Sequence, residues 1–147
     1  MGLGHVPKEP IRSSGEDPLV QRRERRGTAG SRDLAAARQA RGAWGERLAA
    51  AWYTRNGWRI VARNVRHGRG EIDIIAEKNG TFCVCEVKTR RNHDFGSPAE
   101  AMSLHKCRTV RVAAFGWARD NGVSTSRLRF DVALIVGNRI DIVHDAF

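Results

Sequence analysis

A chain of 147 residues, 41% hydrophobic and 29% charged, is long enough for one modest core and too short for two domains of ordinary size. It carries 26 Lys and Arg against 16 Asp and Glu, a net charge of +10, and no apolar run approaching the length of about 18 residues that a membrane helix needs. The three cysteines, Cys83, Cys85 and Cys107, form no C-x-x-C pair and are odd in number. That argues against a disulfide framework or a zinc site and for a reducing, cytoplasmic setting.

Pro7, Lys8, Glu9 and Pro10 stand where a secretory signal would be apolar. Residues 1–33 are rich in Gly, Pro, Ser and mixed charge, and are expected to form a disordered basic tail. They hold seven basic and five acidic groups, which leaves 19 against 11, a net +8, on residues 34–147. The excess therefore belongs to the folded part. A basic domain usually meets a polyanion, nucleic acid most often, although a solvated surface would look the same by charge alone.

Alanine-rich composition predicts a helix over residues 34–56, stopped by Gly57. Glu46, Ala49, Ala50 and Tyr53 share one face of it at i, i+3, i+4, i+7 spacing, an odd place for a carboxylate. Strands follow at 59–66, 71–77 and 81–89. Ser97-Pro98-Ala99-Glu100 reads as a capping box that opens a second helix, which turns Met102, Val110, Ala113, Ala114 and Trp117 inwards and ends at Asn121-Gly122. Strands at 128–136 and 139–143 are joined by Gly137-Asn138. The order is α-βββ-α-ββ, with no internal repeat.

Asn79-Gly80 between two strands signals a type I′ turn, and that turn sets a register. Lys78 then pairs with Thr81, Glu77 with Phe82, Ala76 with Cys83, Ile75 with Val84 and Ile74 with Cys85. One face, comprising Ile72, Ile74, Ala76, Cys83, Cys85 and Val87, is apolar and expected to pack on a helix. On the other, Asp73 comes opposite Glu86, and Glu71 opposite Lys88. Opposed carboxylates destabilise a strand pair unless a hard divalent cation, Mg²⁺ or Mn²⁺, lies between them. Lys88 projects from the same face, where it can orient or deprotonate an attacking water or stabilise a phosphorane-like transition state. The alternative is a solvated ladder of charges.

"GEIDIIA" at residues 70–76 followed by "FCVCEVKTR" at 82–90 resembles the D…E-x-K core of the PD-(D/E)-x-K nuclease superfamily, and more narrowly the YraN-like family of predicted endonucleases. The likeness covers residues 42–147, with "GERLAA", "FGSPAEA", "RFDVA" and the final "AF" in matching order. It implies an α/β fold of restriction endonuclease or Holliday-junction resolvase type, three layers with a mixed central sheet of about five strands flanked by helices. It implies that Asp73 and Glu86 bind metal, that Lys88 is the catalytic lysine, and that Glu46 is the acid contributed by the first helix to the metal and the catalytic set. Ile72 stands where the superfamily's proline would be, as in the YraN-like branch.

The expected activity is a Mg²⁺- or Mn²⁺-dependent endonuclease acting on DNA rather than RNA, with branched or structured DNA in repair and recombination as its setting. The alternative is a non-catalytic nucleic-acid-binding module that has kept the fold. Arg63, Arg66, His67 and Arg69 before Glu71, and Arg90 and Arg91 after Lys88, are candidates for phosphate contact, with Lys106, Arg108 and Arg111 extending that surface. Glu71 is either a third acid or the partner of Lys88, the latter preferred. Asp131 suits a structural hydrogen-bonding role, His93 a plain loop, and Trp44, Trp52, Trp58 and Trp117 the core or its edge. A homodimer is expected by fold-level analogy, and contact with a membrane is not.

Overall fold

The computed structural model describes residues 18–91 and 102–147, with side chains from residue 30 onward. The chain divides into a unit of residues 1–37 and a unit of residues 38–147, and the second contains the whole sheet. Helix α1 runs Pro18–Arg55, so it starts well before the expected residue 34, and residues 18–33 are helical where a disordered tail was expected. Proline is at ease at a first helical position, and the Gln, Arg, Glu, Leu and Ala that follow are good helix formers. Poverty in apolar groups limits burial and does not forbid a helix. Residues 30–40 of α1 are exposed throughout.

The strands are β1 (Arg59–His67), β2 (Gly70–Lys78), β3 (Thr81–Arg90), β4 (Leu128–Val136) and β5 (Arg139–Val143), in the spatial order β1-β2-β3-β4-β5. β3 and β4 are parallel and every other neighbouring pair is antiparallel. The parallel pair requires a crossover, which contains helix α2 (Leu104–Asp120). The sheet is therefore mixed and the fold is α/β, in the expected order of elements. Asn79 and Gly80 both take positive φ, 50° and 82°, and the register runs from Lys78↔Thr81 to Ile74↔Cys85 as the turn dictates.

Each face of the sheet carries its own core. Ala49, Ala50 and Tyr53 of α1 pack on Ile74, Ala76, Cys83, Cys85, Ala133 and Ile135. Val110, Ala113, Ala114 and Trp117 of α2 pack on Ile75, Val84 and Phe130. Helix, sheet and helix make three layers. Ile72 was expected beside Ile74 and Ala76 but lies in the α2-side core. The ladder between β2 and β3 ends at Ile74↔Cys85, while β2 stays paired with β1 as far as Gly70. Released from β3, the start of β2 turns Ile72 to the other face.

Ser103 caps α2, its Oγ accepting from the Lys106 amide at 3.2 Å. The expected capping box at Ser97 and Glu100 lies outside the described residues, as does His93. Met102 is buried, but it precedes the helix. Two glycines bring the helices close to the strand ends. A Cβ on Gly70 would stand 2.6 Å from the Thr109 carbonyl oxygen and 2.7 Å from the Ala113 Cβ, and one on Gly45 would collide with the Thr89 hydroxyl. Among the described residues no helix is long and apolar enough to cross a membrane.

Candidate active site

Where β2 leaves β3, the ladder is continued by a side chain. Asp73 Oδ2 accepts from the backbone amide of Val87 at 2.7 Å, so Asp73 and Glu86 do not form the regular backbone pair that the turn register extrapolates to. The two carboxylates nevertheless share one electrostatic environment. Burial pushes the Asp73 carboxyl up to about 7, and the charges of Glu86 and Glu46 add to the rise. The Val87 amide and Lys106 pull against it.

Glu86 sits on a central strand with its side chain 4% exposed. Its Oε1 accepts from Lys88 Nζ at 2.9 Å and lies 3.2 Å from Lys106 Nζ. Its Oε2 is buried and has no hydrogen-bond partner among the described residues. A buried carboxylate oxygen without a donor is costly, and a cation is the ordinary remedy. Asp73 commits Oδ2 to the Val87 amide, so Oδ1 is the atom it can offer to the same cation. The donor set thus fits a hard divalent ion shared by Asp73 and Glu86.

Glu46 stands at the edge of this arrangement. It is near enough to raise Asp73, but its Oε2 lies 4.0 Å from Arg63 Nη2. Among the described residues no three His, Cys, Asp or Glu side chains are grouped as a metal ion would need. Glu71 is not the partner of Lys88. It pairs with Arg66 at 3.7 Å, its direct neighbour in the β1–β2 register, because beyond Ile74 β2 faces only β1. Lys88 turns to Glu86 instead.

The lysine that sequence reasoning undervalued is Lys106, expected only as part of an outer surface. It lies in the first turn of α2, where the helix dipole disfavours a cation and no acidic side chain is present. A cation placed there calls for an anion nearby, and Glu86 is that anion. The signal was available in the sequence, but its partner was not.

Residues 45–135 match the family described as "Uncharacterised protein family UPF0102". The chain belongs to the UPF0102 family. It is 47% identical over 111 residues to a UPF0102 protein of Rhodococcus jostii, which covers 72% of this chain and 94% of the relative. It is 43% identical over 95 residues to one from Chlorobium phaeobacteroides, covering 65% and 75% respectively. For one from Desulfosudis oleivorans the figures are 38% over 112 residues, 75% and 91%. The family match spans Glu46, Asp73, Glu86, Lys88, Lys106 and Asp131.

In this UPF0102 chain Asp131 is wholly buried and structural, as its strand position suggested. It accepts from Tyr53 Oη at 3.0 Å, from Arg129 through two nitrogens at 2.9 and 2.8 Å, and from the Asp145 amide at 3.2 Å. His144 Nδ1 lies 2.9 Å from it, and the Cys83 thiol donates at 3.1 Å. Burial alone would raise its carboxyl, but the Arg129, His144 and Cys83 partners outweigh that and hold it below the usual range. Burial likewise pushes the Cys85 thiol up to about 12, so both strand cysteines act as small hydrophobes.

The expected phosphate-binding residues divide between the two faces. Arg69 lines a hollow with His105 and Arg108 on the α2 side. Arg90 and Arg91 line one on the α1 side. His67 is taken by Asp120 at 3.0 Å, its ring lying against Gly116. Arg111 donates to the Phe147 carbonyl at 2.9 Å and stacks over Phe130 at 4.5 Å, which assigns it to packing.

Proposed function

We propose that the protein is a Mg²⁺- or Mn²⁺-dependent nuclease that hydrolyses phosphodiester bonds in DNA. The observation that carries this reading is Glu86: a buried carboxylate with two lysines on one oxygen and no donor on the other, beside an Asp73 held near neutrality. A largely buried acid whose carboxyl is raised towards 7, beside a second buried carboxylate and flanked by cations, is a recurrent catalytic pattern. The net charge of +10 suits a polyanionic substrate.

Asp73 and Glu86 would hold the ion, with Glu46 within reach of a second position if Arg63 is displaced. A bound divalent ion supplies Lewis acidity at the phosphoryl group and a more acidic water at neutral pH. Lys88 aims its ammonium into the same space, where it donates to a non-bridging phosphate oxygen as charge accumulates there. Lys106 balances Glu86 while the site is empty of substrate and is the second donor available to a phosphate. The water oxygen would bond to phosphorus as it loses a proton to solvent, and the bond to the ester oxygen would break, that oxygen taking up a proton from solvent to leave as an alcohol.

Lys88→Ala should abolish cleavage of a branched and linear DNA panel in Mg²⁺ or Mn²⁺, while DNA binding in chelator stays close to the parental affinity. Cutting by that variant at the parental rate would remove Lys88 from the chemistry. A binding module that has kept the fold without catalysis is the second reading, favoured by the ion pairs already formed at Glu46 and Glu86. Absence of metal-dependent cleavage across the panel, with binding intact, would establish it.

A further inference from the structure

Two hollows on the α1 side of the sheet adjoin at shared walls, Arg41 and Thr89, and together outline a groove. The inner hollow, about 210 Å³, is bounded by Arg38 and Arg41 of α1 and by Lys88 of β3. The outer one, about 340 Å³, continues past Trp44 to Arg90 and Arg91. No carboxylate lines either hollow. Arg59, Arg63, Arg66, Arg119, Arg129 and Arg139 each have an acidic partner, whereas Arg69 and Arg108 of the α2-side hollow share with this groove the lack of an ion pair among the described residues. Arg38, Arg41 and Arg91 have no ion pair among the described residues.

Trp44 distinguishes this groove from a general phosphate-binding surface. Its indole packs partly against the α1-side core, so it is held firmly and borders the hollow at little further cost in side-chain freedom. The α2-side hollow has Arg69, His105 and Arg108 and no Trp, Tyr or Phe. A row of cations that tracks a backbone, with an anchored aromatic among them, is how proteins hold unpaired nucleic acid. In a duplex the base faces are already stacked, and only phosphates would remain for this groove to contact.

We infer that the groove between α1 and the end of β3 binds an unpaired DNA strand, with a base stacked on Trp44 and phosphates on Arg38, Arg41 and Arg91, and leads that strand to Lys88. The substrate class is then DNA with a single-stranded tail or flap, and the inference rests on the nuclease reading for what happens at Lys88. The groove itself does not depend on catalysis, so binding can be tested without it.

The test measures fluorescence anisotropy of the full-length chain in chelator with a 12-mer of thymidine, a duplex bearing that tail, a blunt duplex of equal charge, and a uridine 12-mer. The thymidine 12-mer and the tailed duplex should bind at least tenfold tighter than the blunt duplex. Trp44→Ala should lose about tenfold on the single strand and leave the blunt duplex unchanged, while Trp44→Phe keeps most of the affinity. Arg41→Ala, at a half-buried position outside the core, should lower the slope of log K against log salt for the single strand by about one.

Equal binding of tailed and blunt duplexes overturns the proposal. So does a parental salt slope for Arg41→Ala, which holds even if Trp44→Ala fails to fold. Tighter binding of the uridine strand would overturn the choice of DNA. Failure to cleave in any metal, with tail preference intact, would sink the nuclease reading and leave the groove standing. Cleavage with no preference for tails would do the reverse.

Discussion

Asp73 keeps its proton to a higher pH than a free aspartate because burial and the charges of Glu86 and Glu46 favour its neutral form. Its carboxyl is raised by burial to about 7, against about 3.8 for a free aspartate. Below the lower value both folded and unfolded chains are protonated and no penalty arises. As pH rises from there to about 7 the unfolded chain releases a proton that the folded chain keeps, so metal-free stability falls across that window and levels off above it. Thermal melts of the parent and of Asp73→Asn should therefore diverge with rising pH, by a few kcal/mol on the order-of-magnitude scale, with the variant the more stable at pH 8. Mn²⁺ should raise the parental melting temperature at pH 8 and barely at pH 5, because only the ionised site binds it. A parental curve parallel to that of the variant would place Asp73 outside the buried site. Asp131 is the opposite case. Held below its usual range by Arg129, His144 and Cys83, it contributes stability that is present above that range and lost as acid protonates it. Asp131→Ala strands a half-buried Arg129 and a buried Tyr53 hydroxyl, and should cost about 3–5 kcal/mol in urea unfolding; a cost under about 1 kcal/mol would mean that the network is decorative.

Among elements, the decisive event is the parting of β2 from β3 beyond Ile74. It frees the Val87 amide for Asp73, swings Ile72 to the α2 side and leaves Lys88 to find Glu86. The helices then close in at glycines. Gly70 admits α2 until the Thr109 carbonyl lies over it, and Lys106, one turn earlier, reaches Glu86 at 3.2 Å. Gly70→Ala should thus cost about 1–3 kcal/mol in stability and weaken the Lys106 contact, since backbone and not a flexible side chain must yield. Gly42, by contrast, has nothing within 4 Å of an added Cβ, and Gly42→Ala within α1 should raise stability by about 0.5–1 kcal/mol. Calorimetry of the two variants checks the pair; equal and small shifts would show that α2 is free to slide.

Over the whole molecule Lys and Arg outnumber Asp and Glu by 26 to 16, and arginines occur on both sides of the sheet, while Asp73 and Glu86 form the largely buried acidic centre. If the protein acts on DNA as proposed, its affinity should fall linearly in log K against log salt. Arg66 is 81% exposed and its pairing with Glu71 at 3.7 Å is weak in water, so it can exchange that carboxylate for a phosphate. Arg66→Ala should lower the slope for duplex DNA by about one, measured by titration from low to moderate salt, and an unchanged slope would remove Arg66 from the contact surface.

Much of this was legible in the chain because it is local. Asn79-Gly80 can make only one kind of tight turn, and that turn dictates five cross-strand pairs. The periodicity of Ala49, Ala50 and Tyr53 dictates which face of α1 is buried, and the spacing of Glu86 and Lys88 puts both on one side of β3. Three things needed the tertiary structure. The turn register predicts a ladder that never ends, but a strand leaves its neighbour when β1 and α2 hold it elsewhere, and no residue of β2 announces that. Lys106 is about 20 residues from Glu86 in sequence, and only the parallel β3–α2–β4 crossover brings them together. The orphaned Oε2 of Glu86 is a property of the space around it, set by atoms from several elements at once. Sequence assigns the carboxylates their strands; packing alone decides which of their oxygens is left without a partner.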